Sequence, residues 1–298
     1  MKTHLFEPSV VDRTSSSRAA REHALVLASM GIRFEQRRVG RERLLLVEVA
    51  DADEALEQLA RYQDESRGWP PNEAPPPLLG NGVGAALAFA LVLVLFHLAK
   101  VGWIPITDWD AAGMNDSTLL HEGEWWRPVT ALCLHADLVH LAGNIVFGSL
   151  FVAGVCQLVG SGFGLLATLL SGGVGNLLNS WFRGPGHQSL GASTALFGAV
   201  GILATCQWSR RKRSPRGKAR RWTYIAAGLA LLGLLGVSGE RTDVLAHFTG
   251  FLAGLFLGLL LDFRPIRQTV GSPAQGFAIL LTLFLLGFSW WNAVRFGA

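Results

Sequence analysis

The spacing of polar and apolar residues changes character once along this chain, near residue 82. Before that point it reads as a small folded module. Apolar positions three and four apart predict a helix over 17–30, with Gly31 as its stop, because glycine enters a left-handed cap without a Cβ clash. Two strands, 32–39 and 43–49, are predicted around the break at Gly40-Arg41, the second carrying Leu44, Leu45, Leu46, Val47 and Val49. Asp51, followed by Glu54 three residues on, predicts the start of a second helix whose Ala52, Leu56, Leu59 and Tyr62 share a face. The expected result is an αββα module. Residues 67–81 then contain five of the chain's twelve prolines, which predicts a stiff extended spacer rather than a packed element.

Beyond residue 82 the polar positions thin out into short breaks between seven apolar runs. Their predicted limits are 83–99, 137–158, 163–181, 192–208, 222–237, 244–261 and 275–293, each good to ~2 to 4 residues. A hydrocarbon layer of about 30 Å needs roughly 20 apolar residues to cross it, so these runs read as membrane helices, the fifth being the shortest. Composition agrees. Half of the residues are hydrophobic and only 16% are charged, which sets the chain apart from soluble domains. The predicted class is an all-α polytopic membrane protein with a small α+β domain in front. Its expected parts are a soluble domain at 1–66, a proline-rich linker at 67–81, a membrane domain at 82–262, and a linker with a seventh membrane helix at 263–298.

Charge decides orientation. The net charge of +4 could suit a polyanion, but Arg210, Arg211, Lys212, Arg213, Arg216, Lys218, Arg220 and Arg221 all fall in one break, after the fourth run. The positive-inside rule places that break in the cytoplasm and the N-terminus with it. No nucleic-acid partner is expected. The opposite break, 100–134, has Asp108, Asp110, Asp116, Glu122 and Glu124 against Lys100 and Arg127, and its Trp103, Trp109, Trp125 and Trp126 are expected to anchor at the headgroup boundary. With no apolar core after the first lysine and acidic residues close behind it, neither a secretory signal nor a transit peptide is read. The expected location is a bacterial inner membrane. Cys133, Cys156 and Cys206 lie in or beside apolar runs and are expected to pack there as free thiols. No cluster of His and carboxylates forms a closed ligand set, so no metal or other cofactor is expected. His97, His121 and His187 are expected to be solvated, and Ser180 and Ser189 to be ordinary helix-end or loop hydroxyls.

Within the apolar runs, four polar residues call for a chemical reading, because such groups in hydrocarbon default to function. Ser193 sits at the outer end of the fourth run, His247 in the first turn of the sixth, and His140 and Asn144 in the first turns of the second, all at similar depth. A serine hydroxyl needs a base to become a nucleophile, and a neutral imidazole serves at physiological pH. His247 is the candidate base for Ser193. The oxyanion formed by attack on a carbonyl needs donors, and His140, Asn144 and the Ser193 backbone N–H can supply them. Asp243 lies one turn before His247 at the membrane edge, so a Ser–His dyad rather than a triad is read. Gly250, Gly254 and Gly258 recur every four residues, and Gly198 and Gly201 give the fourth run a similar small face, so the two helices carrying the pair can approach closely.

These residues carry a resemblance. Gly191-Ala192-Ser193-Thr194, His247 followed by the three glycines, His135, His140 and Asn144 in order on the second helix, and Trp126-Arg127 in the first long loop are similar to the motifs of rhomboid intramembrane serine proteases, over roughly residues 83–261. The resemblance implies a six-helix catalytic core plus a seventh helix. It implies Ser193 as nucleophile, His247 as base, and His140, Asn144 and the Ser193 N–H as oxyanion donors, with His135 as a structural hydrogen-bonder. Phe197 matches an aromatic position beside the base, and Cys156-Gln157 stands where some members have an acid. Expected partners are transmembrane protein substrates, cut near the outer face, and the lipid bilayer. The fifth run and loop 238–243 would form a lateral gate, and the N-terminal domain would bind a protein partner or tune activity. The alternatives are a catalytically inactive relative that binds client helices, and a transporter, which the lack of acidic residues in the core runs disfavours.

Overall fold

In the computed structural model, residues 7–67, 79–103, 108–213, 222–235, 242–262 and 272–297 are described. The chain divides into two compact units, residues 1–76 and 77–298. Most of the proline-rich stretch, at 68–78, and much of the expected gate loop, at 236–241, lie outside the described residues.

The first unit contains strand β1 (Pro8–Thr14), helix α1 (Ser17–Ser29), strands β2 (Phe34–Val39) and β3 (Glu42–Glu48), and helix α2 (Ala52–Glu65). Gly31 does end the first helix region with a positive φ of 77°. The expected αββα pattern lacks one strand, because β1 pairs antiparallel with β3 and makes it the middle of a three-stranded sheet. β1 has few apolar residues, and an edge strand needs only its inward side to be apolar, which is why its pattern was weak. Val11, Leu27, Ile32, Leu45, Val47, Ala55 and Leu59 form the core. Ala55 is buried where Leu56, half exposed, had been expected. Asp51 makes no capping bond through its side chain; a turn of 3-10 helix over Val49–Asp51 starts α2 instead.

The second unit is helical. Its long helices are α3 (Gly82–Leu98), α7 (Leu138–Val159), α8 (Ser161–Arg183), α9 (Ser193–Arg213), α10 (Trp222–Leu235), α11 (Val244–Asp262) and α12 (Ser272–Phe296). All seven expected runs are therefore helical. By length and composition, five helices among the described residues can cross a membrane: α3, α7, α8, α11 and α12. The exceptions have plain causes, since α9 ends in Arg210, Arg211, Lys212 and Arg213 and α10 is short. Helix starts are set by polar caps: Asn81 accepts from the Gly84 N–H at 2.9 Å and Asp137 from the His140 N–H at 2.8 Å. Gly160, with a φ of 91°, turns α7 directly into α8. Gln275 on α12 holds that junction, its Oε1 accepting from the Gly162 and Phe163 amides at 2.7 and 3.1 Å and its Nε2 donating to the Val159 carbonyl at 3.0 Å.

Helix α9 is at the centre, with α7, α8, α10 and α11 against it. Its closest neighbour is α11, and glycine makes that possible. A Cβ on Gly250 would meet the Thr194 carbonyl, one on Gly254 the Gly198 carbonyl, and one on Gly201 the Phe251 carbonyl. Backbone therefore packs on backbone along the seam. The stretch between α3 and α7 is more structured than an anchor loop, with short helices α4 (Trp109–Gly113), α5 (Ser117–His121) and α6 (Arg127–Thr130) and a strand β4 (Asn115–Asp116) paired with β5 (Gln188–Ser189). Trp109 and Trp126 are buried there, packed with Trp290 of α12, where interfacial anchoring had been expected; α12 covers what lipid would otherwise touch. Arg127 is fully buried and its Nη2 pairs with Glu124 at 2.7 Å. Cys133, Cys156 and Cys206 are free and buried.

Candidate active site

The segment that delivers Ser193 is fixed at several points before α9 begins. Ser117 and His187 exchange two bonds, the Ser117 N–H to the His187 carbonyl at 2.9 Å and the His187 N–H to Ser117 Oγ at 2.9 Å. Gln188 Nε2 donates to Asp116 Oδ2 at 2.7 Å. Further on, the Gly191 N–H donates to the Ala131 carbonyl at 2.9 Å and the Ala192 N–H points at His135 Nε2, 3.5 Å away. Asn115 Nδ2 reaches Ser180 Oγ at 2.9 Å and Ser189 Oγ at 3.3 Å, so the buried Ser180 and the half-buried Ser189 are staples rather than free hydroxyls. Ser193 then opens α9, where the helix offers its backbone N–H no partner.

His247 lies one turn into α11 and is buried. Its Nε2 is 2.8 Å from Ser193 Oγ, across 54 residues of sequence. With the imidazole neutral and protonated at Nδ1, the hydroxyl donates to Nε2, which is the arrangement a general base needs. Phe197, one turn along α9, packs against the imidazole in a tilted arrangement, 4.6 Å between centroids and 36° between planes. That contact limits rotation of the ring.

His140 approaches from α7. A Cβ placed on Gly191 would lie 2.8 Å from His140 Nε2 and 3.8 Å from Ser193 Oγ, so the imidazole occupies the space a side chain would fill next to Ser193. Gly191 also has a φ of 127°; both its conformation and its lack of a Cβ are used. His140 packs edge-on to the buried His135 at 5.1 Å, and His135 in turn gives its carbonyl to Lys100 Nζ at 3.1 Å. Asn144 is buried, its Nδ2 donating to the His140 carbonyl at 2.9 Å. That bond uses one of its two N–H groups. Of the four expected site residues, the structure brings Ser193 and His247 into contact, sets His140 against Gly191 beside them, and ties Asn144 to the His140 carbonyl.

Sequence reading missed one constellation. His187, expected to be solvated, has its Nε2 2.7 Å from Asp243 Oδ2, and the buried Asn179 of α8 donates to the same oxygen at 2.6 Å. Asp243 Oδ1 accepts from the Ala246 N–H at 3.2 Å, capping α11. Burial pushes the Asp243 carboxyl up, but the bonds from His187, Ala246 and Asn179 outweigh it and hold it below the usual carboxylate range. Asp116 is lowered in the same way: burial opposes ionisation, and bonds from Gln188, Leu119 and Thr118 prevail. Asn179, a polar residue inside an apolar run, was the signal in the sequence that a buried partner existed. His97 is also buried rather than solvated. Among the described residues, no group of His, Cys, Asp and Glu is placed to hold a metal.

The chain has recognisable relatives. A family model described as the Rhomboid domain matches residues 122–263. "Rhomboid protease GluP" of Bacillus subtilis (strain 168) is 27% identical over 261 residues, covering 87% of this chain and 47% of that protein. "RHOMBOID-like protein 5" of Arabidopsis thaliana is 33% identical over 159 residues, covering 51% of this chain and 49% of that protein. "Inactive rhomboid protein 1" of Drosophila melanogaster is 28% identical over 148 residues, covering 49% of this chain and 10% of that protein. The chain spans about half the length of the first two.

Proposed function

The chain is a member of the rhomboid family, a multi-pass membrane protein with a small sheet-bearing N-terminal unit, and on that premise we propose that it is an intramembrane serine endopeptidase working through a Ser193–His247 dyad. The observation that carries this reading is the 2.8 Å approach of Ser193 Oγ to His247 Nε2. Relatives of both kinds exist, named as proteases and as inactive. An inactive binder of client helices has no use for a serine held 2.8 Å from an imidazole, so catalysis is the better account.

In the proposed reaction, His247 Nε2 takes the Ser193 proton as Oγ attacks the scissile carbonyl carbon. The carbonyl oxygen becomes an oxyanion, for which the Ser193 N–H, His140 and the second N–H of Asn144 are the donors, a single donor being worth ~3 to 4 kcal/mol. Protonated His247 passes its proton to the leaving amide nitrogen, leaving an ester on Ser193. Water, deprotonated by His247, then releases the acyl group and restores the hydroxyl. Because a membrane-spanning helix keeps its amides bonded internally, the substrate helix must open locally before attack. Substrates are single membrane spans that unwind easily, cut near the outer face. The basic end of α9 and its following loop face the cytoplasm of a bacterial cell, as does the N-terminal unit, which binds a protein partner or tunes the enzyme.

The test is labelling by a fluorophosphonate probe together with cleavage of a model transmembrane substrate in proteoliposomes. Wild-type protein is expected to do both, and Ser193→Ala and His247→Ala neither. A wild-type protein that folds but never labels would overturn the reading and favour the inactive binder.

A further inference from the structure

Resting on the proposed Ser193–His247 reaction, we infer that Asp243 is a positioning residue: its carboxylate clamps the segment delivering the nucleophile to the helix carrying the base. Three elements meet on this one side chain. The segment preceding Ser193 contributes His187 Nε2 at 2.7 Å, α8 contributes Asn179 Nδ2 at 2.6 Å and Arg183 Nη2 at 3.4 Å, and α11 contributes the Ala246 N–H at 3.2 Å. The Asp243 backbone carbonyl also accepts the N–H of His247 itself, at 3.1 Å. Both members of the dyad are thus referred to one residue, six residues after His187 for Ser193 and four after Asp243 for His247.

The arrangement goes beyond what a helix start requires. A cap uses one acceptor for an amide of the first turn, and Oδ1 does that here. Oδ2 is left for two side chains from other elements, with Asn179 fully buried and the carboxylate 14% exposed. With a proton on His187 Nε2, the imidazole and the Asn179 amide both donate to Oδ2, and their mutual 3.3 Å contact is two donors converging on one acceptor. His187 is itself held by its paired backbone bonds to Ser117, so the force it transmits reaches a fixed part of the structure. Lower down, α9 and α11 are in register through their glycines, and Thr249 Oγ1 donates to the Gly175 carbonyl at 2.8 Å. Small-residue contact sets how far apart the helices lie; the clamp sets how the top of α11 is turned, and therefore where His247 Nε2 points. A displacement of about 1 Å at such a pair can cost about 100-fold in rate.

The variants that test this are Asp243→Ala, Asp243→Ser and His187→Gln in the full-length protein, with the rate of fluorophosphonate labelling of Ser193, kcat and KM for a model transmembrane substrate, and thermal unfolding in detergent as readouts. Serine restores the helix cap without the clamp. The expected result is a fall of about 10- to 100-fold in labelling and kcat for Asp243→Ser as well as Asp243→Ala. KM should stay within about two-fold and His187→Gln should show a smaller loss of the same kind. In the double variant the two losses should not multiply, because both break one linkage. If Asp243→Ser or His187→Gln labels at the wild-type rate, Asp243 is a helix cap and the inference fails while the protease reading stands. If wild-type protein does not label at all, the protease reading fails first and the inference with it.

Discussion

At the level of single residues, Gly191 and Asn144 make the sharpest claims. Gly191 has a φ of 127° and the imidazole of His140 against its open face, so an added methyl group meets a backbone penalty and displaces the His140 ring, the proposed donor. Gly191→Ala is expected to leave the protein folded and to cut fluorophosphonate labelling by at least about 100-fold, whereas Gly143→Ala, with nothing near its Cβ position, should label normally. Asn144→Ala should slow substrate turnover by about 100- to 1,000-fold, the usual effect of losing one oxyanion donor. That is less than for Ser193→Ala, because His140 and the Ser193 N–H remain; equal losses in folded protein would remove Asn144 from the donor set. Both residues were legible in the sequence, since polar groups and glycine-serine turns at the mouths of apolar runs have few other uses. The pairing of His187 and Asn179 with Asp243 was not, because a bond between residues 64 positions apart, as between Asn179 and Asp243, leaves no spacing to read, even though Asn179 by itself stands out in its apolar run.

At the level of elements, the α9–α11 seam decides whether the proposed dyad can form. The glycines that permit it were visible at four-residue spacing, but their partners were not: the Gly198 carbonyl occupies the space where a Gly254 side chain would be. Gly254→Val should therefore push the helices apart, lower the midpoint of thermal unfolding in detergent, and abolish Ser193 labelling although both dyad residues are intact. Retained labelling would mean that the seam is looser than its backbone contact indicates. The weak points of the sequence reading have the same origin. β1 was missed because an edge strand shows only half a pattern, and Trp109 and Trp126 were read as anchors because their cover, Trp290 on α12, comes from the far end of the chain.

For the molecule as a whole, the two lowered carboxyls give a pH dependence with a definite sign. Asp116 and Asp243 are both held below the usual range when folded, while in the unfolded chain they return to about 3.9. Their contribution to stability is therefore complete above the unfolded value and is lost as pH falls through the folded ones. Thermal unfolding in detergent should be flat from about pH 7 to pH 5 and drop below about pH 4, and Asp243→Asn should flatten part of that drop; an unchanged acid limb would show that the carboxylate bonds add no net stability. Along the chain, hydropathy alone marked the seven long helices of the second unit in their order, because a bilayer accepts only long apolar segments whose backbone is satisfied internally; the short helices α4, α5 and α6 left no such mark. It also exposed Ser193, His247, His140 and Asn144, because polar groups in such segments stand out. Tertiary structure alone decided that Ser193 and His247 touch and that Asp243 joins three elements, because directional bonds of under about 3 Å depend on how helices turn about their axes, and no one-dimensional period records that rotation.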